Sequence, residues 1–375
     1  MTMTKVLLVG PCPPPYGGMA VQIREWHQRL TQMEGYECSV LNIGESRAKP
    51  VDGCIPVLGY ADYLRKLYDF AKRGYLFHLV TTGHSFKSWL SGFACAVVGA
   101  TNGRRTVLVF GSGDAPAYMR KASMLSRLLI RGTLRLGGRI ICRNEQMRKA
   151  LIGMGADSSK ISIVPGFLGI HSHQRAPLPE AIREFAEKHF PVLGATVYVP
   201  ESGDLLPEYG IELVISALKG LRAAYPRLGV VIIGPGPGTT SQINGFAGVD
   251  QHIMFTGPLP HETVLGVMRK LTIFMRPTYT DGDSISVREA LALGVPVVAS
   301  DTDFRPDGVI TFRKGDLQDF VEKLRHAVEH SAELTAQTRQ LDQCDNATRL
   351  LNIYENLTSG TPLVSKVSAN GASAR

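Results

Sequence analysis

The chain has no C-x-x-C pair, and its six cysteines (Cys12, Cys38, Cys54, Cys95, Cys142 and Cys344) are scattered. That spacing argues against a disulfide framework and against a zinc site, and it suits a reducing compartment. Long apolar runs are also missing. The longest, Trp89 to Ala100, is about a dozen residues, against the ~20 needed to span a bilayer. The opening MTMTKVLLVG carries one charge before a short apolar run. It reads as a first strand, so no signal peptide is expected. Aromatic-basic interleaving and the known nucleic-acid modules are absent, which sets a nucleic-acid partner aside.

What remains is a soluble α/β composition. At 375 residues the chain is long for one domain, so two are expected. Hydrophobic residues make up 44% and charged residues 20%, while 39 glycines and 22 prolines suit many tight turns. Charge is divided unevenly. Residues 1–175 carry 23 Lys and Arg against 10 Asp and Glu, and residues 176–375 carry 18 against 23. A basic half joined to an acidic one suggests that the first half meets something anionic. A phosphorylated substrate and an anionic lipid surface both fit.

Short apolar runs alternate with helical periods through both halves. KVLLVG (5–10), CSVLNI (38–43), YLFHLVTT (75–82), RTVLVF (105–110), RIIC (139–142) and KISIVP (160–165) read as strands. TVYVP (196–200), GVVIIG (229–234), HIMFTG (252–257), LTIFMRP (271–277) and PVVAS (296–300) repeat the pattern. Strands alternating with helices predict parallel, doubly wound sheets. The expected division is a first Rossmann-like domain over 1–172, a linker over 173–190 and a second Rossmann-like domain over 191–334. A helix over 335–360 is a candidate to return to the first domain, and a disordered tail covers 361–375. Two such domains facing across a cleft would place ligands at the carboxyl ends of their strands.

The stretch DGDSISVREALALG (281–294) concentrates candidate chemistry. Ser286 and Glu289 match the S-x-x-E capping box, and Asp281 and Asp283 would favour the positive end of the helix. The setting adds a second reading. A strand, an acidic loop, a short Ala/Leu helix and a further strand form a βαβ unit, so free amides at Ser284, Ile285 and Ser286 would point into the cleft and could seat a phosphate. The flanking carboxylates could accept from sugar hydroxyls. Without a histidine cluster this is a poor metal site, and it suits a nucleotide-sugar.

This stretch resembles the acid-x7-acid signature of the retaining glycosyltransferases of family 4, which have the GT-B fold of two facing Rossmann-like domains. The resemblance implies that Glu289 holds the ribose of the donor and that Asp281 touches the donor sugar, with Asp standing where Glu is usual. GPCPPPYGGMA (10–20) is similar to the family's glycine loop, so Gly17 and Gly18 would approach donor phosphate and acceptor. The implied activity is transfer of a sugar, with retention, from a nucleotide-sugar to a glycan or lipid-linked acceptor, in cell-envelope polysaccharide synthesis. A degenerate GT-B scaffold and a sugar-nucleotide epimerase are the alternatives. The nucleotide-sugar would be a co-substrate, with no further cofactor and no metal.

Two departures from the family pattern stand out. Tyr209-Gly210 occupies the place of its Lys-Gly, and Asp204 falls about where its Arg would. Both donor-phosphate cations are then missing, and Arg276, Arg105, the amides of Ser284 to Ser286 and the glycine loop are the candidate replacements. Phe110 stands where a histidine is common. His84, in TTGHSF, is the candidate to act in its place. Finally, Arg127, Arg131, Arg135 and Arg139 recur every fourth residue among Met124, Leu125, Leu128 and other apolar residues. A basic helix of this kind could lie on anionic lipid, which would make the protein cytoplasmic and peripheral on the inner face of the membrane.

Overall fold

A computed structural model describes residues 3–103, 106–170, 177–200, 202–243, 248, 250–302, 304–341 and 345–359. In the first half, β1 (Thr4–Gly10), β2 (Tyr36–Asn42), β3 (Cys54–Ile55), β4 (Leu76–Thr81), β5 (Thr106–Phe110), β6 (Arg139–Cys142) and β7 (Ile161–Ile163) form one sheet. The second half contributes β8 (Val192–Thr196), β9 (Gly229–Ile233), β10 (Ile253–Phe255), β11 (Ile273–Arg276), β12 (Val297–Ser300) and β13 (Val309–Phe312). The strand orders are 3-2-1-4-5-6-7 and 10-9-8-11-12-13. Neighbouring strands pair in parallel throughout both sheets.

Continuous apolar strands follow from helices covering both faces. Leu7 and Val9 enter one core of the first half, while Val6 and Leu8 enter the other. Leu193 and Phe274 likewise fall on opposite faces of the second sheet. Strand order reverses beside β1 and beside β8, and crevices open outside the carboxyl ends of strands at such points. The loop after Gly10, the segment after Thr196 and the loop after Arg276 all leave from there.

Two expected boundaries change. The 173–190 linker contains the helix Glu180–Lys188, whose Ile182 and Phe185 pack into the second-half core. The helix expected over 335–360 is two, Ser331–Thr338 and Asn346–Ser359. The latter lies against the first half, where Leu350, Ile353 and Tyr354 join the core that holds Trp26. Trp26 Nε1 donates to the Tyr354 hydroxyl at 2.6 Å, and Asn346 Nδ2 donates to the Phe167 carbonyl at 2.9 Å. The 361–375 tail and Arg105 lie outside the described residues.

The cysteine expectation is also corrected. Cys12 and Cys54 form a disulfide, which ties the proline-rich loop after β1 to the short edge strand β3. Sequence spacing gave no sign of it, because the loop and the edge strand meet only in the folded sheet.

Candidate active site

The two halves meet over a cleft with two chambers, of about 680 Å³ and about 840 Å³. Gly17, Gly18, Tyr198, Tyr209, Arg276 and Asp281 line both. Glu289, His261, Asp283, Ser284, Ile285, Ser286 and Arg143 line the smaller one, while His84, Ser112, Asp114 and Glu208 line the larger. Of the sequence candidates, the glycine pair and the acid-serine turn therefore meet in one chamber. His84 faces the other.

The helix Ile285–Ala292 presents its amino end to the cleft. Its cap is Ser284, which accepts from the Val287 amide, rather than the expected Ser286. Glu289 is freed from the capping box and turns elsewhere. Its Oε1 stands 2.6 Å from His261 Nε2, and His261 Nδ1 stands 3.1 Å from Glu25 Oε1 on the first-half helix Gly18–Gln32. Burial lowers the His261 pKa, but the two carboxylates outweigh it and raise the group to about 10. The imidazole is therefore a cation that bridges the halves at neutral pH.

Asp281 is occupied. Arg276 Nε donates to its Oδ2 at 2.9 Å and Arg305 Nη1 donates to the same oxygen at 2.8 Å. Burial resists its ionisation, yet Arg276 and Arg305 prevail and hold the carboxyl below its usual range. It lines both chambers as the shared carboxylate of two ion pairs on the wall. Asp283 pairs with Arg288 Nε at 2.6 Å and accepts the Gly166 amide across the cleft at 3.4 Å. Burial raises its pKa despite Arg288.

The loops touch closely. A Cβ on Gly113 would come within 2.7 Å of the Asp281 carbonyl, so only glycine allows that approach. Asn144 Nδ2 donates to the Gly282 carbonyl at 2.9 Å. On the other side a Cβ on Gly17 would press on the Tyr198 ring at 3.1 Å, and one on Gly18 would meet Ile285 at 3.6 Å. The tight approach at Gly17 is thus to the opposite half, while Gly18 meets that half at ordinary contact distance.

Residues 186–349 match the family described as glycosyl transferases group 1. The second half of the chain is thus similar to that group. A GDP-mannose-dependent alpha-(1-6)-phosphatidylinositol monomannoside mannosyltransferase of Mycolicibacterium smegmatis is 30% identical over 160 residues, covering 40% of this chain and 41% of that one. A phosphatidyl-myo-inositol mannosyltransferase of the same organism is 27% identical over 259 residues, covering 64% and 61%. The chain thus spans about two fifths to three fifths of the length of these curated relatives. HepE of Anabaena, solved in complex with UDP, is 15% identical with a TM-score of 0.66 over 95% of this chain and 100% of that one. That likeness carries the GT-B fold.

The departures from the family pattern have definite places in the structure. Tyr209, at the expected lysine position, lies under Arg276, whose guanidinium carbon is 5.2 Å from the ring centre. Asp204 is exposed. Phe110 is fully buried and stacks on Trp89 at 4.4 Å, so it belongs to the core and not to the cleft. His84 is exposed and its Nδ1 stands 2.8 Å from Ser112 Oγ. The cap of the helix that follows is Ser85. Sequence reading missed Arg143, His261 and Arg305. Arg143 sits immediately after β6, and a charged residue at the carboxyl end of a strand was the signal available. His261 and Arg305 carried none, since their carboxylate partners are at least 24 residues away.

Proposed function

We propose that the protein transfers a sugar from a nucleotide-sugar donor to a lipid-linked or glycan acceptor, with retention of configuration, in cell-envelope polysaccharide or glycolipid synthesis. One observation carries this reading: the amino end of the Ile285–Ala292 helix and Glu289 line the same 680 Å³ chamber as Gly17 and Gly18 of the other half. Helix amides suit phosphate. Glu289 keeps Oε2 for a ribose hydroxyl while Oε1 is held by His261. The relatives named for GDP-mannose-dependent transfer to phosphatidylinositol mannosides support a nucleotide-sugar and a lipid-borne acceptor, and HepE was solved with UDP. The larger chamber, with His84, Ser112, Asp114 and Glu208, is the proposed acceptor side.

The inner membrane face is the proposed place of action. No helix among the described residues is long and apolar enough to cross a membrane. An exposed apolar and basic face on the helix Met124–Leu136 supports attachment at a surface.

Calorimetry with UDP, GDP and their sugar conjugates tests the reading. Glu289→Ala should weaken the donor by about 10- to 100-fold, the worth of one hydrogen bond to a charged group. Unchanged affinity in a folded variant rejects the role of Glu289, and no binding by the native chain rejects the transfer reading. A non-catalytic scaffold draws on the occupied state of Asp281 and would give that second result.

A further inference from the structure

Arg143 is a buried cation lining the smaller chamber to which the transfer reading assigns no role. It follows β6 at the carboxyl end of the first-half sheet and is only 5% exposed. Its guanidinium donates to the Val164 carbonyl at 2.9 Å and to Gln22 Oε1 at 2.5 Å. Both acceptors are neutral. Among the described residues no carboxylate forms an ion pair with it. Asp283 acts on it from a distance, but the Oδ1 of that carboxylate is taken by Arg288. Burial accordingly lowers the Arg143 pKa to about 10, against the pull of Asp283. A buried cation with no bonded anion is costly to the fold. Such groups cluster where a ligand supplies the missing charge.

Its surroundings fit an anion. A Cβ on Gly166 would lie 3.4 Å from the Arg143 guanidinium carbon and 3.4 Å from Ile285, so the guanidinium stands beside the first turn of the Ile285–Ala292 helix. Ser284 satisfies the Val287 amide there. The amides of Ile285 and Ser286 have no acceptor among the described residues. Around this turn the guanidiniums of Arg143, Arg276, Arg288 and Arg305 with the His261 imidazolium make five cations, against the four carboxylates of Asp281, Asp283, Glu289 and Glu25. Positive charge is in excess where the helix dipole is also positive.

We propose that Arg143 is the phosphate-binding cation of this cleft: carried by the first half, it grips the diphosphate of a nucleotide seated on the amino end of the Ile285–Ala292 helix of the second half. Naming the ligand as a nucleoside diphosphate rests on the transfer reading; the anion site itself does not. The assignment accounts for Tyr209 and Asp204 standing where cations are expected, because the charge enters from the opposite half. It also makes phosphate binding hold the halves together.

The full chain, with Arg143→Gln and Arg143→Lys, should be titrated with UDP, GDP and inorganic pyrophosphate by calorimetry, and with uridine and guanosine by saturation-transfer NMR. Thermal melts check folding. Arg143→Gln should lose about 10- to 100-fold for the diphosphate that binds, while the matching nucleoside changes less than about twofold. Arg143→Lys keeps the charge but not the fork, and should fall between. Should the Gln variant fail to fold, the Lys variant decides by the same comparison. Equal loss for nucleoside and diphosphate marks a structural role and overturns the assignment, as does unchanged diphosphate affinity. Pyrophosphate binding that needs Arg143, in a chain that binds no nucleotide, keeps the anion site and removes the transfer reading. No binding of any phosphate removes both.

Discussion

His261 holds Glu289 at 2.6 Å and passes the constraint to Glu25 of the other half at 3.1 Å. The proposed donor-holding carboxylate is therefore positioned by a cation that also fastens the halves. A pH dependence follows. The His261 pKa is raised from 6.5 to about 10, so its contribution to stability is complete below about pH 6.5 and is lost as pH rises through about 10. The gap in unfolding free energy between the native chain and His261→Gln should be widest near pH 6 and close toward pH 10. Urea titrations across that range measure it. A gap that does not vary with pH would mean that no imidazolium bridge forms.

Asp281 behaves oppositely. Its carboxyl is depressed in the fold, so its contribution is present above the unfolded value of 3.8 and disappears as pH falls through the folded value. Asp281→Asn leaves Arg276 and Arg305 buried without a carboxylate. Breaking a buried pair in this way costs about 3–5 kcal/mol. Denaturant unfolding at neutral pH should show that loss, and Asp281→Asn/Arg305→Met should recover part of it. A loss below about 1 kcal/mol would show that water reaches the arginines.

Much of this architecture was legible in the residues, for a physical reason. Parallel strands covered on both faces must be continuously apolar, so Val6–Val9 and Val297–Ala299 announce themselves. The acid-serine turn was legible because a βαβ unit aims its helix end at a crevice. Two of the four edge strands were not. Cys54–Ile55 has too few residues for a period, and in Val309–Phe312 only Phe312 is buried, so neither alternation nor a continuous apolar run marks it. Partners distant in sequence were hidden as well. Nothing near Asp281 in the chain points to Arg305, and Ser284 took the cap from Ser286 because it alone has the extended backbone of a cap residue. The burial of Phe110 could not be read either, since a position at a strand end can face either the cleft or the core.

The contact between Gly113 and the acidic loop yields a further expectation. A methyl group at position 113 would sit 2.7 Å from the Asp281 backbone, which cannot yield as a flexible side chain would. Gly113→Ala should push the loop off the first half, at a cost of about 1–3 kcal/mol for overpacking. Because the loop precedes the Ile285–Ala292 helix, nucleotide affinity should fall with it. Parallel melting and calorimetry would show both; a variant with native stability and affinity would mean that the loops are not in contact in solution.

The Cys12–Cys54 bond closes a loop with a sequence separation of 42. Chain entropy alone assigns such a loop about 4 kcal/mol, with strain and denatured-state structure reducing it. Reduction, or Cys54→Ser, should therefore destabilise the first half by about 2–4 kcal/mol. Urea unfolding with and without dithiothreitol measures this, with thiol counting as the control. Identical curves under both conditions, with five or more free thiols in the native chain, would mean that the bond does not form.

The basic helix can be tested against membranes directly. Of the four arginines at helical spacing, Arg127 is tied to the Ala122 and Arg120 carbonyls, and Arg139 belongs to β6 and donates to the Ser159 carbonyl. Arg131 and Arg135 remain exposed, beside Met124, Leu125 and Leu128 at 80%, 66% and 57% exposure. The apolar residues thus share the solvent side with the two arginines instead of facing the core, which holds Ile130 and Leu134. A surface that exposes both apolar bulk and positive charge suits the headgroup boundary of an anionic bilayer. Exposed Phe86 and Tyr60 begin two neighbouring helices, and Tyr60 lines the larger chamber, so a surface-bound chain would hold that chamber close to lipid. Vesicles rich in phosphatidylglycerol should pull down the native chain, and Arg131→Gln/Arg135→Gln should weaken binding about 30-fold at about 1 kcal/mol per charge. Leu125→Glu/Leu128→Glu should abolish it, and neutral vesicles should bind far less. Sedimentation unaffected by either pair would detach this helix from the membrane, and would leave the acceptor to be sought among water-soluble glycans.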